Sequence, residues 1–221
     1  MRWLVLARNC GRWQGKRGIL AAAAAAAVVW SATVLHAALP TAPDVSGGSS
    51  LAGQLLIAAP ALAGSGFDRT VVLVVRHGKA GAFGIVINRP LDSRPIASLL
   101  EAFGADASGV HDSVPIYLGG PVSPTVGLVI HSADYHLPDT LDIDGRVALS
   151  AAGDVLRDIG LGVGPNKSLI AFGYAGWAPQ QLEGELKRGD WYTVAEDPAL
   201  VFDDDRAKVW DDAMARRKSD H

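Results

Sequence analysis

Beyond residue 50 the apolar residues of this chain come in short runs, four to seven residues long, rich in β-branched side chains and cut by Gly, Pro and Asp. Runs of that length suit strands rather than core helices. Gln54 to Ala59, Thr70 to Arg76 and Phe83 to Asn88 read as three strands. The connection His77-Gly78-Lys79-Ala80-Gly81 pairs the second and third as a hairpin. Val114 to Leu118, Gly127 to His131, Ser168 to Phe172 and Trp191 to Val194 add further strands. Leu141 to Leu149 reads as a hairpin turning at Asp144-Gly145, a strong short-range turn signal.

About four helices fit between these runs. Ser93 is expected to cap one with Pro95 in its first turn and Ile96, Leu99, Leu100 and Phe103 on its apolar face. Ser150 is expected to cap a second that runs to Ile159 with Val155 and Leu156 inward. Pro179 to Arg188 is a third, ended by Gly189. Asp204 to Lys218 is a charged closing helix, with the run Asp203-Asp204-Asp205 at its N-terminal turn. Hairpins interspersed with single helices predict an α+β domain rather than a doubly wound parallel sheet. No second linker or repeat interrupts residues 51–221, so they read as one domain.

The first forty residues belong to something else. Arg2, Arg8, Arg12, Lys16 and Arg17 precede an uncharged, Ala-rich run from Gly18 to Leu39. A basic flank before an apolar stretch is the layout of a signal peptide or an uncleaved anchor, here an N-terminal apolar helix. The expectation is a protein exported to the periplasm or anchored in the inner membrane through residues 1–40. The alternative is a cytoplasmic protein with a misassigned start codon. Residues 41–50, Thr-Ala-Pro-Asp-Val-Ser-Gly-Gly-Ser-Ser, read as a flexible linker.

Charge and cysteine content narrow the functional classes. The whole chain carries a net −3, and residues 41–221 hold 15 basic against 23 acidic residues, a net of −8. Such a body repels a phosphodiester backbone, so direct nucleic-acid binding is not expected. The only cysteine, Cys10, precedes the apolar run. The body therefore has no disulfide, thiolate metal site or Cys nucleophile.

Several local patterns invite a function and fail on inspection. Gly160 to Ser168 resembles a phosphate loop, but Asn166 replaces the required Gly and the helix comes before the strand. His131, Asp134, His136 and Asp139 lie close together, yet their spacing matches no established metal pattern, and they are expected as exposed loop residues. No metal or other cofactor is expected. Ser123 and Ser132 lack a nucleophile elbow. Glu183 and Glu185 are two apart on a helix, so they point in different directions. His77 and His111 read as surface residues.

Three segments remain: Asn88-Arg89-Pro90, Tyr117-Leu118-Gly119-Gly120-Pro121-Val122 and Gly173-Tyr174-Ala175-Gly176-Trp177. Each is expected as a loop at a strand end. Arg89 is suited to clamp a carboxylate or phosphate. Gly119 and Gly120 would offer backbone N–H groups, and Tyr174 and Trp177 would line a pocket. The expectation is one cleft built from Asn88, Arg89, Gly119, Gly120, Tyr174 and Trp177, taking a small polar ligand or a peptide. The alternative is that Arg89 pairs with an acid, the glycines allow tight turns and the aromatics fill the core.

These segments, in order, resemble the YqgE/AlgH family of largely uncharacterised bacterial proteins. The resemblance starts at Leu55-Leu56-Ile57-Ala58-Ala59-Pro60 and continues through Phe67-Asp68-Arg69-Thr70-Val71 and Gly84-Ile85-Val86-Ile87-Asn88-Arg89-Pro90. It then takes in Leu118 to Val122, Gly173 to Trp177, Gln181-Leu182-Glu183-x-Glu185 and Phe202-Asp203…Trp210, covering about residues 51–215. The resemblance implies a single α+β domain with a folded-over mixed, mainly antiparallel sheet, and no established reaction. A non-enzymatic ligand- or protein-binding module is expected. A hydrolase using His131 or an acid beside the cleft is one alternative; an indirect transcriptional regulator acting through protein partners is another.

Overall fold

The computed structural model describes residues 50–219, so the expectations for residues 1–40 and for most of the linker lie outside the described residues. Ten strands are present: β1 (Gln54–Ala58), β2 (Val71–Gly78), β3 (Gly81–Val86), β4 (Pro90–Pro95), β5 (Ser113–Leu118), β6 (Val122–Ser132), β7 (Leu141–Asp142), β8 (Val147–Ala151), β9 (Ser168–Trp177) and β10 (Trp191–Ala195). The helices are α1 (Ile96–Ala102), α2 (Ala152–Gly160), α3 (Gln181–Arg188), α4 (Pro198–Val201) and α5 (Val209–Ser219), with a 3-10 turn at Pro60–Leu62. Among the described residues no helix is long and apolar enough to cross a membrane.

The main path of the sheet runs β10-β1-β2-β3-β9-β6-β8-β7, with β5 beside β9 and β4 beside β5. Every pairing is antiparallel except β5 with β9. The sheet is therefore mixed and mainly antiparallel, and it curls. Its two ends approach each other where Arg146, beyond the β7–β8 turn, donates to the Glu196 carbonyl at 2.9 Å just past β10.

The alternation of side chains along each strand builds three cores. Leu55, Ile57, Leu73, Ile85, Ile130, Leu149 and Leu169 face the inside of the curl, joined by Leu200, Val201 and Val209 from the C-terminal helices. On the outer face of one half, Leu56, Val72, Val74 and Trp177 pack against Leu182 of α3. On the outer face of the other half, Ile116, Val129 and Ile170 pack under Ile96 and Leu100 of α1 and Val155 and Leu156 of α2.

β9 is the strand that joins the two halves. Its first part lies between β5 and β6, and its second part pairs with β3. Leu169 and Ala171 face inward in the first part, whereas Tyr174 packs inward in the second and Ala175 and Trp177 face out. The change of phase falls at Gly173, whose φ of 74° supplies the left-handed residue that such a shift needs.

Several sequence expectations are corrected here. Gly173 to Trp177 is not a loop but the second half of β9. Ser93 lies on β4 rather than at a helix cap; Pro95 occupies the cap, and Ile96 N–H is met by the Asp112 carbonyl at 2.9 Å. Ser150 lies on β8, and Ala151 precedes α2 without a side-chain cap. Asp203 to Asp205 stand in a connection before α5, which starts later, at Val209. The short α4 had no expected counterpart, because four residues show no helical period. Gly160 to Ser168 does connect α2 to β9.

Candidate functional site

Asn88 and Arg89 leave β3 and turn the chain toward β4. Asn88 is fully engaged by the neighbouring segment: its Oδ1 accepts from Val71 N–H at 2.9 Å and its Nδ2 donates to the Arg69 carbonyl at 2.9 Å. These bonds hold Arg69 at its positive φ of 51°, an uncommon setting for a residue with a side chain. The Arg89 guanidinium donates through Nη2 to the Asp68 carbonyl and, at 3.2 Å, to Thr70 Oγ1. Its backbone carbonyl accepts from Leu118 N–H at 2.9 Å.

A cleft of about 690 Å³ opens beside these residues, lined by Ser65, Gly66, Asp68, Arg69, Asn88, Arg89, Arg206, Ala207 and Trp210. Arg206, from the connection between α4 and α5, is held by two donations, Nη1 to the Val201 carbonyl at 2.7 Å and Nε to Tyr117 Oη at 3.3 Å. Its guanidinium also lies 5.0 Å from the centre of the Tyr117 ring. Arg69 stacks 4.3 Å from the Trp210 ring centre and pairs with Asp211 at 2.5 Å. Trp210 itself is anchored by donating to the Ala58 carbonyl at 2.9 Å. Arg89 and Arg206 are thus held in place by uncharged groups, Arg69 by Trp210 and Asp211, and all three residues line one cleft, an arrangement that favours anion recognition.

The other expected site residues do not line this cleft. Gly119 and Gly120 cross the backbone of β9: Gly119 N–H donates to the Phe172 carbonyl and its carbonyl accepts from Val86 N–H, both at 2.8 Å. Tyr174 faces the inner core against Phe83, ring centres 4.8 Å apart. Trp177, three residues along the same strand, faces the opposite side. It donates to Glu185 Oε2 at 2.8 Å, as Trp191 also does, and Gln181 donates to the other oxygen at 2.9 Å. Glu183, two residues earlier, reaches His77 instead at 3.1 Å, so His77 is a tied, half-buried residue rather than a free surface one.

His131 also departs from expectation. It is 0% exposed on β6, not in a surface loop. Its Nδ1 lies 3.0 Å from the Ser132 carbonyl, which can only accept, so Nδ1 carries the proton and Nε2 accepts from Ser150 Oγ at 3.0 Å. Ser150 Oγ then accepts from Thr140 Oγ1 at 2.7 Å, which accepts from Leu137 N–H at 2.8 Å. The chain of bonds is complete, and its residues are not among those lining the cleft. Burial holds the imidazole below its ordinary pKa, opposed by the Ser132 carbonyl and by Asp134. The unfolded chain therefore takes up a proton first. The stability that His131 brings should be present above about pH 6.5 and fall as the pH drops below it. The difference in urea midpoint between the wild type and His131→Gln, followed from pH 7 to 5, checks this: the wild type should lose ground to the variant as the pH falls, whatever the difference at pH 7. Among the described residues no group of three His, Cys, Asp or Glu side chains is placed to hold a metal.

Comparison with known proteins places this fold. A family model described as AlgH-like matches residues 55–221. The chain belongs to the AlgH-like family. A UPF0301 protein of Methylococcus capsulatus is 41% identical over 79% of this chain and 94% of its own length. One from Gluconobacter oxydans is 40% identical over 74% of this chain and 89% of its own length. The solution structure of the AlgH protein from Pseudomonas aeruginosa is 38% identical and superposes with a TM-score of 0.66 over 78% of this chain and 92% of that one. The crystal structure of a Corynebacterium diphtheriae protein, 24% identical with a TM-score of 0.61, shares the fold over 74% of this chain and 85% of that one.

Among the cleft residues that the sequence did not nominate are Asp68, Arg69, Arg206 and Trp210. All but Arg206 stand within segments that carry the family resemblance, and Arg206 lies between Asp203 and Trp210. The signal for Asp68 and Arg69 was their place in the segment Phe67 to Val71; Arg206 carried none.

Proposed function

We propose that this AlgH-like domain is a binding module whose ligand is a small anion held in the cleft between Arg89 and Arg206. One observation carries the reading. Arg69, Arg94, Arg146, Arg157, Arg188 and Arg216 each pair with a carboxylate, whereas Arg76, Arg89, Arg206 and Arg217 pair with none among the described residues, and of these four only Arg89 and Arg206 line the cleft. Arg89 and Arg206 stand half-buried in one cleft with no carboxylate in contact, so an anion bound there would meet positive charge that is not already neutralised. The cleft volume falls within the range of about 300–1,000 Å³ usual for small-molecule sites.

This reading keeps Asn88 and Arg89 at the centre but changes their partners. Asn88 holds the Arg69 to Val71 segment through both ends of its amide and so positions the wall of the cleft that it lines. Gly119, Gly120, Tyr174 and Trp177 act through the fold.

A thermal-shift screen of the full chain against small carboxylates, phosphates and sulfate tests the proposal. A ligand at about a hundred times its Kd should add about 2.7 kcal/mol of stability. That gain should be lost or strongly reduced in Arg206→Ala, while circular dichroism shows the fold retained. Stabilisers that act equally on the wild type and Arg206→Ala would place the ligand elsewhere.

A further inference from the structure

The three guanidiniums differ in kind from a single carboxylate clamp. Arg89, Arg206 and Arg69 stand on the walls of one cleft, and each is fixed by contacts that leave part of its fork unused: Arg89 engages Nη2, Arg206 engages Nε and Nη1, and Arg69 pairs through Nη2. A planar carboxylate has two oxygens in one plane, and one arginine fork engages both. A tetrahedral phosphoryl group presents three terminal oxygens, enough for three forks arriving from different directions. The walls are not uniformly basic, however. Asp68 lines the same space, its Oδ2 accepting from Gly64 N–H at 3.2 Å, and Ser65 stands beside it. A bare dianion gains nothing from that side. A hydroxyl or ammonium group would donate to Asp68.

We infer that the ligand is a phosphate monoester of a small carrier bearing a hydroxyl or amino group, with the phosphoryl group at Arg89, Arg206 and Arg69 and the carrier's donor toward Asp68. The inference rests on the anion-binding reading above. Asp211 has a defined part in it: its carboxylate pairs with Arg69 across the rim and occupies one of the three forks until a phosphoryl oxygen takes its place. The protein's own acid is thus a competitor for the ligand's charge.

The protonation of the ligand supplies a signature. A phosphate monoester gains its second charge with a pKa of about 6. The charged groups lining the cleft are Asp68 from the loop before β2, Arg69, Arg89 and Arg206; Asp211 on α5 pairs with Arg69, and Asp205 and Lys208, next in sequence to the lining Arg206 and Ala207, pair with each other. Asp205 is held below its ordinary value by its hydrogen bonds to Lys208. No imidazole stands among the lining residues, so a change in affinity across pH 5 to 7.5 reports the ligand.

Isothermal titration of the full chain with glycerol 3-phosphate, inorganic phosphate, sulfate and oxalate at pH 7.5 and pH 5 decides the matter. Glycerol 3-phosphate should bind tightest at pH 7.5 and lose about tenfold at pH 5 as it becomes a monoanion. Sulfate, a dianion at both, should bind more weakly and without that change. Arg206→Ala should weaken glycerol 3-phosphate by at least about tenfold. Asp211→Asn should strengthen it severalfold, a gain that no folding defect could mimic. Oxalate binding tighter than any tetrahedral anion would overturn the phosphate assignment and leave the anion site standing. Sulfate or inorganic phosphate matching the ester would overturn the role of the carrier. No binding by any of the four, with Arg206→Ala melting alike in their presence and absence, would remove both readings.

Discussion

Gly120→Ala should cost the domain about 3–5 kcal/mol, a large share of the 5–15 kcal/mol that holds a protein of this kind together. Gly120 has φ 153°, a setting that L side chains rarely adopt, and an added Cβ would fall closer than 3.0 Å to the Tyr174 carbonyl and the Ala175 nitrogen. Neither neighbour can yield, because both belong to β9, which is held between other strands. The backbone strain accounts for about 1–3 kcal/mol and the forced displacement for a similar amount. Gly173→Ala attacks the same crossing from the other chain, its Cβ meeting the Gly120 carbonyl oxygen at 2.5 Å. Melting temperatures should drop by about 10 °C or more, at about 2–4 °C per kcal/mol. Gly145→Ala is the control: its φ is also positive, at 79°, but nothing lies within 4 Å of the added carbon. It should cost only about 1 kcal/mol. If Gly120→Ala melted like Gly145→Ala, the crossing would not be the rigid junction described.

That junction also explains how far the sequence could be read. The strands of the first hairpin and the Asp144-Gly145 turn were legible because alternation and turn chemistry are local. Gly119-Gly120 and Gly173 were legible as unusual segments, but their reason is a crossing between residues more than fifty positions apart, which no local pattern contains. Reading Gly173 to Trp177 as a loop placed Tyr174 and Trp177 on one surface; as a strand they must face opposite sides, three residues being an odd step. The helix starts failed for a related reason. Ser93 and Ser150 are good caps by composition, but one lies on an edge strand and the other is drawn into the buried bond to His131. Arg89 was recognisable from its position at a strand end. Arg206, from a connection near the C-terminus, joins it only through tertiary packing.

Glu196→Gln should make the domain more stable above neutral pH, by about 2–3 kcal/mol at pH 9. The Glu196 side chain is 0% exposed, with Arg146 at 2.8 Å. Burial pushes its carboxyl up to about 8, with Asp144 adding to the rise through a hydrogen bond and its charge, and Arg146 opposing it. Asp144 moves the other way: burial alone would raise it, but hydrogen bonds from Glu196 and from the N–H groups of Arg146 and Val147 hold it low. The two carboxyl groups therefore share one proton, which sits on Glu196 at neutral pH. Because the folded protein holds that proton more tightly than the unfolded chain does, the stability from Glu196 is complete below about pH 4.5 and declines until the pH passes about 8. A shift of that size would amount to about 5 kcal/mol if undivided. The smaller figure allows for its sharing with Asp144 and for solvent around Arg146, whose side chain is 53% exposed. Gln cannot ionise, so it keeps the side chain neutral beside Asp144 and Arg146 at every pH. Between about pH 4.5 and 6.5 the two groups oppose each other, His131 costing stability and Glu196 adding it as the pH falls, so the wild type should decline mainly from about pH 6.5 toward pH 8, through Glu196. Glu196→Gln should remove the decline between about pH 4.5 and 8 and leave the acid-side loss through His131 standing alone. Urea midpoints at pH 6, 7, 8 and 9 separate the two effects, and a wild type as stable at pH 9 as at pH 7 would show that Glu196 is ionised throughout. The location gives this proton its weight: the pair sits where the β7–β8 turn meets the end of β10, so ionising Glu196 loosens the contact that brings the two ends of the curled sheet together.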